Sequence, residues 1–426
     1  MPTLIFKNFV LEKSELAYLS ITSFTLILLS TKNYFHIPYA LMAILGCFML
    51  YKDIRRRDIR NCKIFFLIFF SIWLPMAVAT IFSPSMDRSF EKTISYLHFL
   101  PSSYFLLKVG MKTNLRKALS YVMLIFFIFL LLDSVIQFFL GRNLLGQPLV
   151  DGKITSIFYP KERLGIILVL FCPIVIFLLL QFRSSKTKNI LSFILCLSFI
   201  VVLALTLKRS AWMMMSYLLI VTIIFNFNLI RSRFLWKQFI AIIILVGGAS
   251  LIVGSSNNFK DLIDKSAGLF SVNEIELNTA SNGRYDLWKT GLTIVKENPF
   301  FGVGPRVYRD VYREYASPDD FWINKSGDVQ THPHLFLIEI MCETGLLGFL
   351  LFSFVNFKLI KYYRKYLDPW LLSGIVAAFP LNLHLAFYGS YWSSILWFFL
   401  GIGLGRVLSE INSEKKLVQC KTNVLN

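Results

Sequence analysis

Residues 164–182 read LGIILVLFCPIVIFLLLQF, 19 positions without a charged side chain, followed at once by Arg183, Lys186 and Lys188. At about 1.5 Å per residue such a helix matches the ~30 Å hydrocarbon layer of a bilayer, and its basic flank marks where that layer ends. The same signature recurs outward from it in both directions. Apolar helices are expected near 15–32, 34–51, 64–83, 93–109, 118–140, 164–182, 189–207, 210–230, 235–254, 334–357, 370–387 and 391–407. The fold class that follows is an all-α polytopic membrane protein with about twelve transmembrane helices.

Composition agrees with this reading. Of 426 residues 56% are hydrophobic and 16% charged, where a soluble globular chain carries about 25% charged residues, so an ordinary soluble enzyme is excluded. A net charge of +19 would suggest nucleic acid in a soluble protein, but in a membrane protein the positions of the cations report topology. Placing the N-terminus inside gathers Lys52, Arg55, Arg56, Arg57, Arg60 and Lys63 in one inside segment and Lys108, Lys112, Arg116 and Lys117 in the next. Arg183, Lys186 and Lys188, then Arg231, Arg233 and Lys237, and finally Lys358, Lys361, Arg364 and Lys365 follow the same rule. Both termini are therefore expected to be cytoplasmic. Cys47, Cys172, Cys196 and Cys342 lie in apolar runs and Cys62 and Cys420 in basic segments, a pattern that predicts free thiols. The first fourteen residues lack a signal-peptide core, so the first span is expected to be an uncleaved anchor.

One connection breaks the run of short loops. The expected division is 1–254 for helices one to nine, 255–333 for a large periplasmic loop between spans nine and ten, 334–407 for helices ten to twelve and 408–426 for a cytoplasmic tail. Loops beyond about 15 residues usually carry structure or function, and Leu287, Trp288, Leu292 and Val295 recur at helical spacing within 284–296. Pro299, Gly302, Gly304 and Pro305 then punctuate a turn.

Against this apolar background a few polar groups stand out. Lys208 and Arg209 form a basic pair in a tight hairpin, where they either snorkel to the interface or face a polar cavity. Arg284 opens the expected loop helix, where it can hold a phosphate bidentately or pair with Asp286, with Ser281 or Asn282 as cap. His332 and His334 lie where the loop re-enters the membrane; a histidine there suits a general base, and two His at i and i+2 without further ligands are weak evidence for zinc. Arg306, Arg309 and Arg313 are spaced to share one helical face, either as a phosphate-contacting stripe or as a solvated surface. Asp133 and Gln137, Glu339, Glu343 and His384 either line a cavity or pair for structural reasons.

The order of these elements carries a resemblance. Arg209 after a hairpin, GRYDLW at 283–288, NPFFGVG at 298–304, and His332-Pro333-His334 followed by ETGLLG at 343–348 resemble the bacterial O-antigen ligase and O-antigen polymerase superfamily. The resemblance covers residues 200 to 350 by motif and the whole chain by span count. One departure is visible: the family's His is followed by Asn, Ser or Gln, then nine residues and a Gly, and here Leu335 takes the polar place while Gly345 keeps the spacing. The resemblance implies a metal-independent, inverting GT-C-type glycosyltransferase of the inner membrane, without cofactor, working on the periplasmic face. Its donor would be an undecaprenyl-diphosphate-linked glycan and its acceptor a lipid A core sugar, or a second lipid-linked glycan in a polymerase. It further implies His334 as catalytic base and Arg209 and Arg284 as diphosphate ligands; Lys208, Arg306, Arg309, Arg313 and His332 are candidates for further substrate contacts, with His332 alternatively orienting the loop. The bilayer is the other expected partner, and nucleic acid is not one. A polysaccharide flippase or transporter is the alternative of another class, but transporters place ionisable residues near the bilayer midplane, whereas these cations and histidines gather toward one surface.

Overall fold

The computed structural model describes residues 11–31, 34–181, 186–230, 268, 271, 273–326, 329–383 and 385–425. Among them the regular elements are all helices, and extended pairing is confined to two isolated bridges, Arg142 with Pro148 and Val150 with Lys153. The helices are α1 (Lys13–Leu28), α2 (His36–Arg55), α3 (Lys63–Ile81), α4 (Met86–Tyr96), α5 (Phe99–Met111), α6 (Thr113–Leu140), α7 (Leu164–Gln181), α8 (Lys186–Leu205) and α9 (Arg209–Ile230). After the expected ninth span, which lies outside the described residues, come α10 (Glu274–Ser281), α11 (Arg284–Glu297), α12 (Tyr308–Tyr315), α13 (Phe321–Ser326), α14 (Phe336–Tyr366), α15 (Pro369–Ala377) and α16 (Ser390–Leu425).

Seven described helical segments are long and apolar enough to cross a membrane: His36–Arg55, Asp58–Ile81, Thr113–Leu140, Leu164–Gln181, Arg209–Asn226, Phe336–Tyr366 and Ser390–Leu417. The protein is a multi-pass membrane protein. Segment Asn189–Leu205 is apolar but shorter, and α1 has 16 residues. Helix α7 is the most enclosed of the central group, with Leu164 to Val175 buried without interruption, as expected of a helix apolar all round.

Two expected spans take another form. The run at 93–109 is split: α4 ends at Tyr96 and α5 begins at Phe99. Helix α4 carries Asp87, Arg88, Glu91 and Lys92 and is amphipathic, whereas α5 buries Tyr104, Phe105, Leu106 and Leu107 completely. The run at 370–387 is a nine-residue helix, α15, followed by irregular chain, because Pro380 has no N–H to continue the ladder. That irregular segment is paired where it is buried: Pro380 and Asn382 accept from the N–H groups of Leu337 and Phe336 at 3.0 and 3.2 Å, capping α14.

Residues 284–342 build a second, smaller core. Leu287, Ile294, Val303, Val307, Tyr308, Val311 and Tyr312 close on Cys342 of α14, so the segment between the spans is a helical subdomain seated on that helix. The helical spacing read at 284–296 is realised as α11.

Candidate active site

The subdomain and α14 interlock at a break in the helix. Gly345 has φ 63° and ψ −161°, a conformation that is close to glycine-only, and it interrupts α14. Into the gap fits the turn at 298–304. Val303 and Gly304 donate to the carbonyls of Cys342 and Glu343 at 2.9 Å each, while Leu346 donates to the Pro299 carbonyl at 2.8 Å. A Cβ on Gly302 would lie 2.6 Å from the Thr344 nitrogen, so the two motifs touch backbone to backbone. Ser83 at the end of α3 fixes the same turn, donating to the Val303 carbonyl at 2.7 Å.

This junction sets the position of Arg306. Its backbone is left-handed (φ 63°), its N–H donates to Glu343 Oε2 at 2.8 Å, and its guanidinium stands 3.8 Å from the wholly buried Glu339 carboxylate. Glu339 in turn accepts from the Phe387 N–H at 3.0 Å, which ties the irregular segment after α15 to the same point. The carboxylates that sequence alone left open are thus the mount for an arginine.

Arg306 borders a cavity of about 480 Å³ with Arg309, Arg88, Lys92 and His332 on its wall. Tyr388, Tyr391 and Trp392 supply aromatic surface, and among the described residues no carboxylate lines it. Arg88 pairs behind the wall with Asp310 at 2.8 Å. Neither Arg309 Nε nor Arg306 NH1 has a hydrogen-bond acceptor among the described residues, although both are buried. Burial, then the neighbouring Arg306 and Arg88, push the Arg309 pKa below its ordinary value, so the cavity favours an incoming anion. His332 is 7% exposed, its Nδ1 lies 2.9 Å from Thr331 Oγ1, and its ring is 3.9 Å, centroid to centroid, from that of His334. His334, half-buried, also has a left-handed backbone (φ 55°), and Leu335 follows it as the N-cap of α14.

A second cationic group is built around Glu162. Glu162 accepts from Lys208 at 2.7 Å and from Lys153 at 2.9 Å, while Arg209 donates to the Ala280 carbonyl at 2.8 Å next to the start of α11. Burial and the nearby Arg209 lower the pKa of Arg284, with Glu162 opposing. Burial also lowers that of Lys208 despite its carboxylate partner, whereas the two ammonium groups outweigh burial at Glu162 and lower its pKa. Arg209, Arg284 and Lys208 are therefore brought together. Arg284 is not neutralised by Asp286, which instead accepts from Asn278 and from the Phe321 N–H at 2.6 and 2.8 Å. Gly283 is the N-cap of α11, and Ser281, the last residue of α10, accepts from the Tyr285 N–H at 3.0 Å.

The two groups are linked by consecutive residues. Glu162 holds Lys208, and the Arg163 guanidinium lies 3.6 Å from the centroid of the Tyr391 ring on the cavity wall. One short stretch of chain thus touches both groups, Glu162 through Lys208 and Arg163 through a wall residue of the cavity.

The arginine stripe differs from its expected form. Helix α12 begins at Tyr308, so Arg306 precedes it, and exposed Arg313 is not on the cavity wall. Tyr308 and Tyr312 are core residues, donating to the Leu287 carbonyl and to Asp320. Asp133 and Gln137 pin the 141–158 connection to α6, accepting from the N–H groups of Leu144, Thr155 and Ser156 at 2.7 to 3.0 Å. His384 lies outside the described residues. Arg88, Lys92, Tyr388, Tyr391 and Trp392 were not legible as site residues, yet Arg88 and Lys92 one turn apart could have marked α4 as a helix that does not cross a bilayer.

Residues 191–353, which include Arg209, Arg284, Arg306, His334 and Gly345, match the family model described as O-Antigen ligase. No curated protein matches the chain.

Proposed function

We propose that this multi-pass membrane protein, which carries the O-antigen ligase and polymerase superfamily domain at residues 191–353, is an O-antigen ligase of the bacterial inner membrane. In this reading a glycan passes from undecaprenyl diphosphate to a sugar hydroxyl of lipid A core on the periplasmic face, with both termini cytoplasmic. The observation that carries it is the pairing of two cationic groups through Glu162 and Arg163, one for each of two anionic substrates.

Arg209 and Arg284, with Lys208 beside them, hold the diphosphate and stabilise the charge that grows on it as the sugar C1–O bond breaks. The electron pair of that bond leaves with the diphosphate. The acceptor oxygen forms the new bond to C1 from the opposite face, inverting it, and its proton passes to an imidazole nitrogen of His334. His332, ring to ring with His334, orients the base, and Arg306, Arg309, Arg88 and Lys92 receive phosphates of the acceptor core. Fixed guanidinium groups do the work a divalent ion would do, so transfer is expected to survive EDTA.

The test is reconstitution with a purified undecaprenyl-diphosphate glycan and, separately, lipid A core and an undecaprenyl-linked repeat unit. Extension of lipid A core supports the ligase; extension of only the lipid-linked repeat makes the protein a polymerase. Movement of intact donor across the bilayer without transfer would place it among flippases.

A further inference from the structure

The two ends of α5 meet two different pockets. His98 and Phe99 at its start line the cavity beside Arg309, whereas Lys108 and Lys112 at its end line a separate pocket of about 270 Å³ with Tyr18, Phe48, Met49, Lys52, Asp53 and Arg56. This second pocket is formed where α1, α2 and α5 come together. Helices α2 and α5 are parallel and in backbone contact at Gly46, where a Cβ would lie 1.8 Å from the Pro101 carbonyl oxygen. Seven residues further along each helix, Asp53 pairs with Lys108.

The charges in the pocket do not cancel. Asp53 is taken by Lys108 and Glu15 by Lys112, at 2.8 Å for the latter. Lys52 and Arg56, one turn apart on α2, make no ion pair among the described residues, and like charges at that spacing repel. An anion seated between the α2 and α5 ends would relieve them.

The approach to the pocket is apolar. Ile37, Leu41, Ile44, Phe48 and Tyr51 are each 46 to 68% exposed and recur at spacings of four and three, a single stripe about 21 Å long on a helix able to cross a membrane. The stripe runs into Lys52 and Arg56, so hydrocarbon gives way to cations at the pocket mouth. Snorkelling alone would place the cations there but would not require a pocket walled by a second helix.

We infer that this pocket binds the phosphate headgroup of an anionic phospholipid whose acyl chains lie along the stripe at 37–51 of α2. The recognition is a phosphodiester on the Lys52 and Arg56 side, set against Lys108 and Lys112, with apolar contact continuing along Phe48 and Ile44. The site is separate from the glycan-transfer groups and does not depend on the substrates assigned to them.

The test uses the full chain in phosphatidylcholine nanodiscs doped with phosphatidylglycerol, with co-purifying lipid counted by native mass spectrometry. The wild type is expected to retain phosphatidylglycerol in preference to phosphatidylcholine, and the double variant Lys52→Gln/Arg56→Gln to lose that preference on the order of 10-fold. A charge-matched control, Lys358→Gln/Lys361→Gln, should retain it. Equal loss in the control, or equal retention by the Lys52/Arg56 variant, would overturn the site. Displacement of the lipid by millimolar inorganic phosphate would make the pocket a free-anion site and overturn the lipid assignment. Both substituted side chains are exposed, so folding is not at stake, and a monodisperse elution profile for each variant checks that.

Discussion

Gly345 and Phe300 are in backbone contact: a Cβ on Gly345 would stand 2.3 Å from the Phe300 carbonyl oxygen, which also accepts from the N–H of Leu347 at 3.3 Å. The break in α14 and the turn that fills it are one object built from two sequence motifs. Arg306 follows that turn, so the glycine governs the position of a cavity cation from 39 positions away in the chain.

Gly345→Ala should therefore act on both stability and transfer. The φ of 63° with ψ −161° costs a side chain, and the clash is with backbone that cannot rotate aside; together these are worth about 3 kcal/mol or more. A lower melting temperature of the detergent-solubilised protein, with glycan transfer lost in the surviving fraction, is the expected result. Unchanged melting would show that the interlock does not hold the subdomain.

His334→Ala and the arginine variants should separate proton transfer from charge stabilisation. Loss of the base lowers transfer by about 10²–10⁴-fold and leaves the polyprenyl donor bound. Arg284→Ala and Arg209→Ala weaken donor binding as well as turnover, and lysine at either position rescues in part because an ammonium cannot form the bidentate fork. Donor affinity and single-turnover rate, measured for each variant, decide between these outcomes. Near-normal transfer by His334→Ala removes it as base.

Arg309→Gln and Arg88→Gln should raise the acceptor KM, each by roughly 10-fold as expected for a lost charged hydrogen bond, and leave donor affinity as it is. Arg306 is a poorer probe because its backbone N–H and left-handed conformation also serve the interlock. The informative comparison is a phosphorylated against a dephosphorylated core acceptor. If Arg309→Gln discriminates between the two as strongly as the wild type does, the cavity wall does not read the phosphate.

What the sequence made legible follows from the range of the interactions involved. Helix α7 could be read directly because burial on every side leaves an uninterrupted apolar run, and α11 because its inward face repeats at helical spacing. Arg209, Arg284 and His334 were legible as outlying polar residues in an ordered set. The cavity was not, since its wall joins α4, the residues before α14 and the start of α16, segments some 300 positions apart. Helix α4 was hidden by its neighbour: averaging it with the apolar α5 produced one apparent span where there are two helices. The end of α15 was similarly masked, because the irregular chain after Ala377 is as apolar as a helix and differs in its backbone partners.

Glu162 offers a test of the link itself that needs no substrate. Burial pushes its carboxyl up, but Lys208 and Lys153 outweigh burial, so its folded pKa lies below the unfolded value of about 4.3. A carboxylate with a depressed pKa contributes stability that is present above its unfolded pKa and lost as pH falls through the folded one. Glu162→Gln should therefore destabilise the protein at pH 7, by about 1–3 kcal/mol for an ion pair neither fully exposed nor fully buried. The gap between variant and wild type should begin to close below the unfolded value of about 4.3 and go on closing as pH falls through the lower folded one, because protonation then makes the wild type resemble the amide. Thermal unfolding of both proteins from pH 7.5 down to the acid limit of folding reads this directly. A gap that stays constant across the range would mean that Glu162 contributes through packing alone, and that the ion pairs with Lys208 and Lys153 do not hold the two cationic groups together.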